Sequence, residues 1–253
     1  MKKILKNLFI LWGVVIPLSS FTLNSCTFMG DSVKPSKTFV TRNYEVGNFT
    51  GIEFSGMCDV EYTQSAAKPS LKIYGPDNYV KATEVKVEGN MLKISIYGKY
   101  KNKNLSNSDK MKISISTPSL TNVILKGLGN INIPQPIQID NLEIIHKGVG
   151  NITVSSVKGN SLTVNSSGVG NVKLAGNVHV ASLSCNGVGN VNAKELQAKI
   201  VDANCRGVGN ITCYAMDSIT ASAKGVGSIR YKGNPKQKDL NRSGIGSIRN
   251  VDN

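Results

Sequence analysis

The sequence has few of the residues on which several common kinds of functional site depend. Among its 253 residues there are only two histidines, His146 and His179, and no Cys-x-x-Cys pair, so the spacing of a zinc site is missing. Aromatic residues make up 6% of the chain, and no basic amphipathic helix is evident, so no base-stacking platform or recognition helix is predicted. These absences argue against nucleic acid as a partner, although the formal net charge is +14.

Long apolar runs are also missing, apart from one near the start of the chain. Residues 8–18 are largely apolar but too few to form a stable membrane span, and Lys2, Lys3 and Lys6 precede them. A short apolar run behind a positive start is typical of an export signal. We therefore predict a signal peptide over residues 1–25.

The end of this segment, Leu23-Asn24-Ser25-Cys26, resembles the lipobox of bacterial lipoproteins, with Asn24 as an unusual occupant of its second position. The resemblance implies cleavage before Cys26 and lipidation of Cys26; the alternative is an ordinary secretory peptide with a chance cysteine. Residues 26–37 are short and polar and are interpreted as a tether. The expected location is the cell envelope, at the outer membrane, with the periplasmic or surface face left open.

A short phrase, Gly-Val-Gly-Asn or a close variant, returns seven times within residues 120–250. Successive copies are 18 to 21 residues apart, and their first glycines are Gly127, Gly148, Gly168, Gly187, Gly207, Gly225 and Gly244. A fixed phrase with a period near 20 is typical of a solenoid, in which each coil buries its apolar face against its neighbours. At strand spacing, seven stacked corners would form a column about 29 Å tall.

Alignment on the first glycine, taken as position zero, assigns a role to each position of the repeat. Position +4 is always Ile or Val and position −4 is apolar throughout, which predicts inward-facing strands on both sides of a tight corner. The paired glycines allow the backbone to turn with positive φ. We expect the aliphatic residue at +1 to fill the core, and the Asn or Ser at +3 to form a hydrogen-bonded ladder along the stack.

The segment before the regular repeats is also predicted to consist of strands. Gly56 fits the repeat register as an eighth, degenerate corner, and residues 63–119 are interpreted as a β excursion before the stack of residues 120–250 begins. Alternating apolar and polar residues predict strands at residues 71–74, 84–88, 91–97 and 111–116. Residues 38–253 are therefore expected to form one continuous all-β body.

Together these features resemble a known family. The segment Phe49–Gly56, the pair Asp59-Val60, the segment Thr117–Leu120 and the glycine rungs are similar to the head GIN domain of auto-transporter adhesins. The resemblance covers about residues 40–250. It implies a right-handed parallel β-helix, exported or lipoprotein forms, and an adhesin-like role.

The repeats do not have the residue patterns that are typical of catalytic or metal sites. Glycan-cleaving β-helices gather carboxylates on one face, but Glu143 and Asp202, both at position −5, should lie three rungs apart, about 14 Å. Calcium-binding β-rolls need Asp in their glycine turns, and these turns carry Asn or Ser. We predict a non-enzymatic binding protein without cofactor or metal; the alternatives are a self-assembling structural protein and, as a minor one, a glycan-cleaving enzyme.

Position −2 contains the residues with the most reactive side chains. His146 is expected to be a partly buried histidine with its hydrogen bonds satisfied, rather than a ligand. Cys185 and Cys205 should lie on adjacent rungs, where parallel Cβ vectors hold the sulfurs away from good disulfide geometry. Two buried thiols are the favoured interpretation, and a disulfide formed in an oxidising compartment is left open.

The predicted binding site is a basic column beside the glycine corners. Position −1 includes Lys126, Lys147, Arg206 and Lys224, and position +5 adds Arg230 and Arg249. Cations beside exposed glycine amides could hold an anionic partner, either an acidic glycan or lipid headgroups. The alternative is that these charges only keep a flat β surface soluble. The sequence does not predict the oligomeric state.

Overall fold

A computed structural model describes residues 32–96, 104–105 and 111–252 of the chain. The predicted signal peptide and Cys26 lie outside the described residues, as does the first half of the predicted tether, residues 26–31. Strands account for 66% of the structure and helix for 3%, and they form a β-solenoid of about six turns. The predicted fold class, an all-β solenoid of coils of about 20 residues, is therefore confirmed.

The first part of the chain consists of short strands and a single-turn helix. In chain order they are β1 (Ser32–Val33), β2 (Phe39–Tyr44), β3 (Gly51–Ser55), β4 (Asp59–Gln64), β5 (Ser70–Pro76), α1 (Asp77–Ala82), β6 (Glu84–Glu88), β7 (Met91–Ser95), β8 (Asn104–Leu105) and β9 (Lys112–Thr117).

The second part forms the regular stack, in which several strands run round a whole coil. They are β10 (Asn122–Leu125), β11 (Ile131–Ile133), β12 (Ile137–His146), β13 (Ile152–Ser166), β14 (Val172–Cys185), β15 (Val191–Cys205), β16 (Asn210–Ala223), β17 (Ser228–Lys232), β18 (Gln237–Arg242) and β19 (Ile248–Asn250).

Successive coils pair in parallel, with equivalent positions of the repeat directly opposite one another. Position −4 shows this alignment, because Ile144 pairs with Val164 and Val164 with Leu183. Each of these three side chains is fully buried. Side chains that alternate along a strand point to opposite faces, so the even positions before the corner point inward, and those at position −4 form a continuous aliphatic column.

The predicted degenerate corner at Gly56 is confirmed. Strand β3 pairs in parallel with β10, and β4 with β11, so that Ile52 lies opposite Val123 and Val60 opposite Ile131. The excursion also forms two strand pairings that the sequence does not predict: β7 pairs in parallel with β3, and β9 pairs in parallel with β4. These two strands add a further layer below the Gly56 coil, although they follow that coil in the chain.

The two ends of the stack differ. At the N-terminal end, antiparallel strands close the layer of β7 and β9: β6 pairs with β7, β5 with β9, and β2 with β5. At the other end β18 is exposed along its whole length, and Leu240 at position −4 is 41% exposed. Leu240 keeps its predicted place in the inward column, opposite Ala221, but it is partly exposed because no later coil of the described chain lies over it.

All pairings of the main sheet, 17 strands among the described residues, fall between Phe39 and Asn250. Within the part of the chain that the structure describes, no helix has the length and apolar character needed to cross a bilayer.

Candidate binding face at the glycine corner

The glycine pairs are required because adjacent coils approach each other very closely at the corner. A Cβ atom built on Gly148 would lie 2.0 Å from the carbonyl oxygen of Gly127, and one on Gly150 would lie 1.9 Å from that of Gly129. Gly150 also has a φ of 143°, which side-chain-bearing residues rarely adopt. Both glycines therefore direct their missing side chains at the neighbouring coil.

The aliphatic residue between the two glycines points outward, so the expectation that it fills the core is wrong. The side chains at this position are exposed in every coil, so they face solvent at the corner rather than the core. Exposure rises from 41% at Leu128 to 85% at Ile245. We call this row the ridge; it consists of Leu128, Val149, Val169, Val188, Val208, Val226 and Ile245.

Beside the ridge, the predicted amide ladder at position +3 is confirmed. The Oδ1 atom of Asn130 accepts hydrogen bonds from the backbone N–H of Asn151 at 2.9 Å and from its Nδ2 at 3.1 Å. The same pair of bonds is repeated upward through Asn171, Asn190 and Asn210. Together with the backbone bonds between coils, the ladder holds the corner in a fixed geometry.

The predicted basic column at position −1 is exposed on the other side of the ridge. Lys126, Lys147, Arg206 and Lys224 all lie on the surface. Lys126 forms an ion pair with Glu53, Nζ to Oε1 at 2.8 Å, so its charge is already balanced. Among the described residues the other three have no ion-pair partner.

Position +5 supplies the remaining cations of the predicted site. Arg230 and Arg249 lie opposite each other on β17 and β19, so two like charges stand on neighbouring strands. The Nε atom of Arg230 is buried and has no hydrogen-bond partner among the described residues. Lys173 is exposed in the same column of side chains, a member that the sequence analysis did not single out.

We call the outward residues at positions −1, +1, +3 and +5 the corner face. The seven segments that run from position −1 to position +5 contain seven Lys or Arg residues and no Asp or Glu. The six acids of the repeats lie elsewhere, three of them at position −5. The corner face is thus an apolar ridge and an amide ladder between two columns that carry charge of one sign.

The acids at position −5 are separated, as the register predicts. Glu143 pairs with Thr163, Thr163 with Ser182, and Ser182 with Asp202, which places the two carboxylates three rungs apart. Glu143 accepts hydrogen bonds from the amides of neighbouring asparagines rather than facing a second acid. The arrangement does not match the paired carboxylates of a glycosidase.

A cleft of about 870 Å³ was not predicted from the sequence. It lies at the N-terminal end of the stack, and its lining includes Tyr44, Glu45, Glu61, Lys68 and Lys72. These residues come from separate stretches of the chain that only the antiparallel closing strands bring together. No motif spacing could have indicated this cleft.

Comparison with known proteins identifies the family. The family model described as "Putative auto-transporter adhesin, head GIN domain" matches residues 48–235. The chain belongs to the head GIN domain family. This assignment confirms the resemblance found in the rungs, and membership of an adhesin-like family indicates a cell-envelope or surface protein.

Solved structures of the head GIN type are similar to the chain over most of its length. A "putative adhesin" from Bacteroides fragilis is 44% identical, with a TM-score of 0.84, over 87% of this chain and 100% of that one. A "putative lipid binding protein" from Parabacteroides distasonis is 26% identical, with a TM-score of 0.71, over 87% and 99%. A "putative adhesin" from Parabacteroides merdae, 22% identical with a TM-score of 0.64 over 88% and 100%, shares the fold. Comparison with curated proteins gives no significant match.

Inside the head GIN domain, His146 is more deeply buried than predicted, and only one of its two ring nitrogens has a hydrogen-bond partner among the described residues. Its Nδ1 atom lies 3.1 Å from the Oγ atom of Ser166 in the next coil, and its Nε2 atom is buried without a hydrogen-bond partner among the described residues. Burial lowers the pKa of His146, because the charged form cannot be solvated there. No group of three or more metal-ligating side chains occurs in the described part of the chain.

The cysteines of the described residues are buried free thiols, the interpretation favoured from the sequence. Cys185 and Cys205 lie opposite each other in register, and each Sγ atom donates to the carbonyl oxygen of the second glycine of its corner at 3.4 Å. Burial raises the pKa of Cys213 to about 12 and also raises that of Cys58. Neither of these two thiols is therefore suited to act as a nucleophile.

Proposed function

We propose that the protein is a non-enzymatic binding module of the cell envelope, exported and anchored through a lipid on Cys26, with an adhesin-like role at the outer membrane. Its binding site is the corner face, and its ligand is anionic. The observation that carries this proposal is the presence of seven cations and no acid in the seven corner segments. A field of one sign favours association with anionic polymers or surfaces.

The relatives agree with such a role. The Bacteroides fragilis relative is described as a putative adhesin and the more distant Parabacteroides distasonis relative as a putative lipid binding protein. A lipid anchor would hold the module at a membrane, with residues 26–37 as the tether. Acidic glycans and lipid headgroups both offer the negative charge that the corner face requires.

Retention on immobilised heparin, as a model acidic polysaccharide, tests the corner face. The triple variant Lys147→Ser, Arg206→Ser, Lys224→Ser should elute at lower salt than the wild-type protein. A matched variant that removes the same charge from exposed lysines away from the corner, Lys158→Ser, Lys194→Ser, Lys199→Ser, should elute close to the wild type. Equal elution of both triple variants would show that only net charge matters and would remove the corner face as the binding site.

The location is tested separately on intact cells. Labelling with radioactive palmitate should mark the wild-type chain and not the Cys26→Ser variant, and external protease should shave the protein from whole cells if it acts as an adhesin. Protection from protease until the outer membrane is broken would exclude direct adhesion and leave a periplasmic binding module.

Self-assembly is the second candidate, and it is favoured by the exposed last strand, β18, with its half-exposed Leu240. Lys238 and Arg242 on the same strand oppose it, because like charges would meet where two such ends stack. Sedimentation velocity over a hundredfold range of concentration distinguishes the two. A concentration-dependent polymer would favour the structural role over the binding role.

A further inference from the structure

The ridge is an apolar surface with no internal partner. Its members are aliphatic in every coil, and each is between 41% and 85% exposed. Soluble proteins seldom expose a contiguous apolar row, and such rows usually mark a contact surface. The ridge also stands on a rigid base, since the N–H of Val149 donates to the carbonyl oxygen of Gly127 at 2.9 Å, and that of Val169 to Gly148 at 2.9 Å.

The charges beside the ridge determine what can cover it. Lys147, Arg206 and Lys224 lie on one side without ion-pair partners in the described chain, and position +5 on the other side carries Lys173, Arg230 and Arg249. A second copy placed ridge to ridge would bring cations of both copies to the same edges, which is unfavourable. A polysaccharide would satisfy the cations but would leave the aliphatic row in contact with water.

An anionic bilayer satisfies both features at once. Aliphatic side chains between cations are the composition of peripheral elements that bury their apolar face at the boundary of headgroups and acyl chains while Lys and Arg meet lipid phosphates. We propose that the corner face is a membrane-contact surface, with the ridge entering the headgroup region of an anionic bilayer. This rests on the proposed function, in which the corner face is the binding site, and it specifies the ligand.

The two ends of the ridge should not contribute equally to insertion into the bilayer. Val226 is 60% and Ile245 85% exposed, whereas Leu128 is 41% exposed. Arg230 and Arg249 follow these two C-terminal members by four residues, and the buried Nε of Arg230 has no partner in the described chain. The C-terminal end of the ridge therefore enters the bilayer most deeply.

Vesicle binding of residues 27–253 tests the proposal, since this segment contains every strand of the main sheet and has no lipid anchor. The vesicles contain phosphatidylglycerol and phosphatidylcholine at 3:7, with pure phosphatidylcholine as the neutral control. The quadruple variant Val169→Thr, Val188→Thr, Val208→Thr, Val226→Thr, which includes the C-terminal valine of the ridge, should lower the partition coefficient on the anionic vesicles by about tenfold or more. The matched variant Ile200→Thr, Met216→Thr, which removes exposed apolar side chains away from the corner, should bind as the wild type does.

The contribution of the basic side chains to membrane binding is tested on the same vesicles. Lys147→Ser, Arg206→Ser, Lys224→Ser should lower binding by about 100-fold at low ionic strength. The corresponding lysine variant away from the corner, Lys158→Ser, Lys194→Ser, Lys199→Ser, should lower it far less. Thermal unfolding of every variant confirms that the fold is retained.

Insertion can be observed directly, because the only tryptophan of the sequence, Trp12, lies in the predicted signal peptide. In residues 27–253, Val188→Trp should shift its emission to shorter wavelength and become shielded from an aqueous quencher when anionic vesicles are added. Ile200→Trp, at an exposed site of similar character, should change in neither respect.

The outcomes separate this inference from the proposed function. Wild-type binding to heparin but not to anionic vesicles would overturn the inference and leave an adhesin that binds polysaccharide. Equal vesicle binding by the wild-type protein and the quadruple valine variant would overturn it as well. Concentration-dependent dimers that the valine variant no longer forms would assign the ridge to a second copy instead.

Discussion

At the scale of single residues, the corner shows how one geometric requirement determines several neighbours. The carbonyl oxygens of the adjacent coil leave no space for a side chain at either glycine of a pair. The close approach that the glycines allow brings successive asparagines within hydrogen-bond distance along the stack. It also leaves the aliphatic residue between the glycines on the surface of the corner. The ridge and the amide ladder are thus consequences of the same close approach.

Gly170 provides a direct test of that requirement. A Cβ there would lie 1.8 Å from the carbonyl oxygen of Gly150, and φ is 134°. We expect Gly170→Ala to lower the free energy of unfolding by about 2–4 kcal/mol, because the coils must move apart and the backbone is strained. Urea denaturation measures the change. Gly47→Ala, at a glycine with nothing within 4 Å, is the control and should cost less than about 0.5 kcal/mol; equal costs would contradict the argument.

His146 predicts a pH dependence of stability. Its pKa is lowered in the folded state by burial, so below the usual pKa the unfolded chain takes up a proton that the folded protein resists. Stability contributed by neutral His146 is therefore present above about pH 6.5 and declines as the pH falls, by at most about 1.4 kcal/mol per pH unit. Chemical denaturation from pH 7.5 to 5 should show a steeper loss for the wild type than for His146→Leu. Parallel curves for the two proteins would show that the folded state tolerates the charge.

At the scale of elements, the same position of the repeat contributes differently to the stability of the fold in different coils. Leu183 on β14 and Leu240 on β18 both occupy position −4, but the first is fully buried between two coils and the second is 41% exposed on the last strand. Burial, rather than the place in the repeat, determines how much a side chain contributes to stability.

This difference is measurable with one type of substitution. Leu183→Ala should lower the free energy of unfolding by about 2–5 kcal/mol, because it leaves a cavity in the aliphatic core. Leu240→Ala should cost less than about 1 kcal/mol, since water can occupy the vacated space. Both are read from urea denaturation of residues 27–253. Similar costs would mean that the last coil is covered in solution.

At the scale of the whole molecule, the solenoid is closed at one end and open at the other. The antiparallel strands β6, β5 and β2 finish the N-terminal layer, whereas β18 and β19 end the stack with charged and exposed residues. In a stack where each coil contacts only its neighbours, a polar end coil keeps the apolar core from meeting another molecule.

Removal of residues 236–253 tests the role of this end coil. The truncation would uncover Ile219 and Tyr231, which are buried in the whole protein. We expect it to remain folded by circular dichroism, to melt about 5 °C lower, and to associate with increasing concentration. The full-length protein is the control. A truncated protein that stays monomeric over the same concentrations would contradict the capping role.

The sequence alone determined the repeat, its period, the inward positions at −4 and +4, the Asn ladder and the placement of Gly56, because a stacked coil repeats its packing and hydrogen bonds at every rung. It also indicated the basic column and the family.

The orientation of the residue at +1 could not be decided in this way, because an aliphatic side chain between glycines suits either a core or a contact surface. Only the folded corner, in which these side chains are between 41% and 85% exposed, placed the ridge in water. The closing layer of β7 and β9 likewise depended on pairings between segments distant in the chain, which local alternation does not specify.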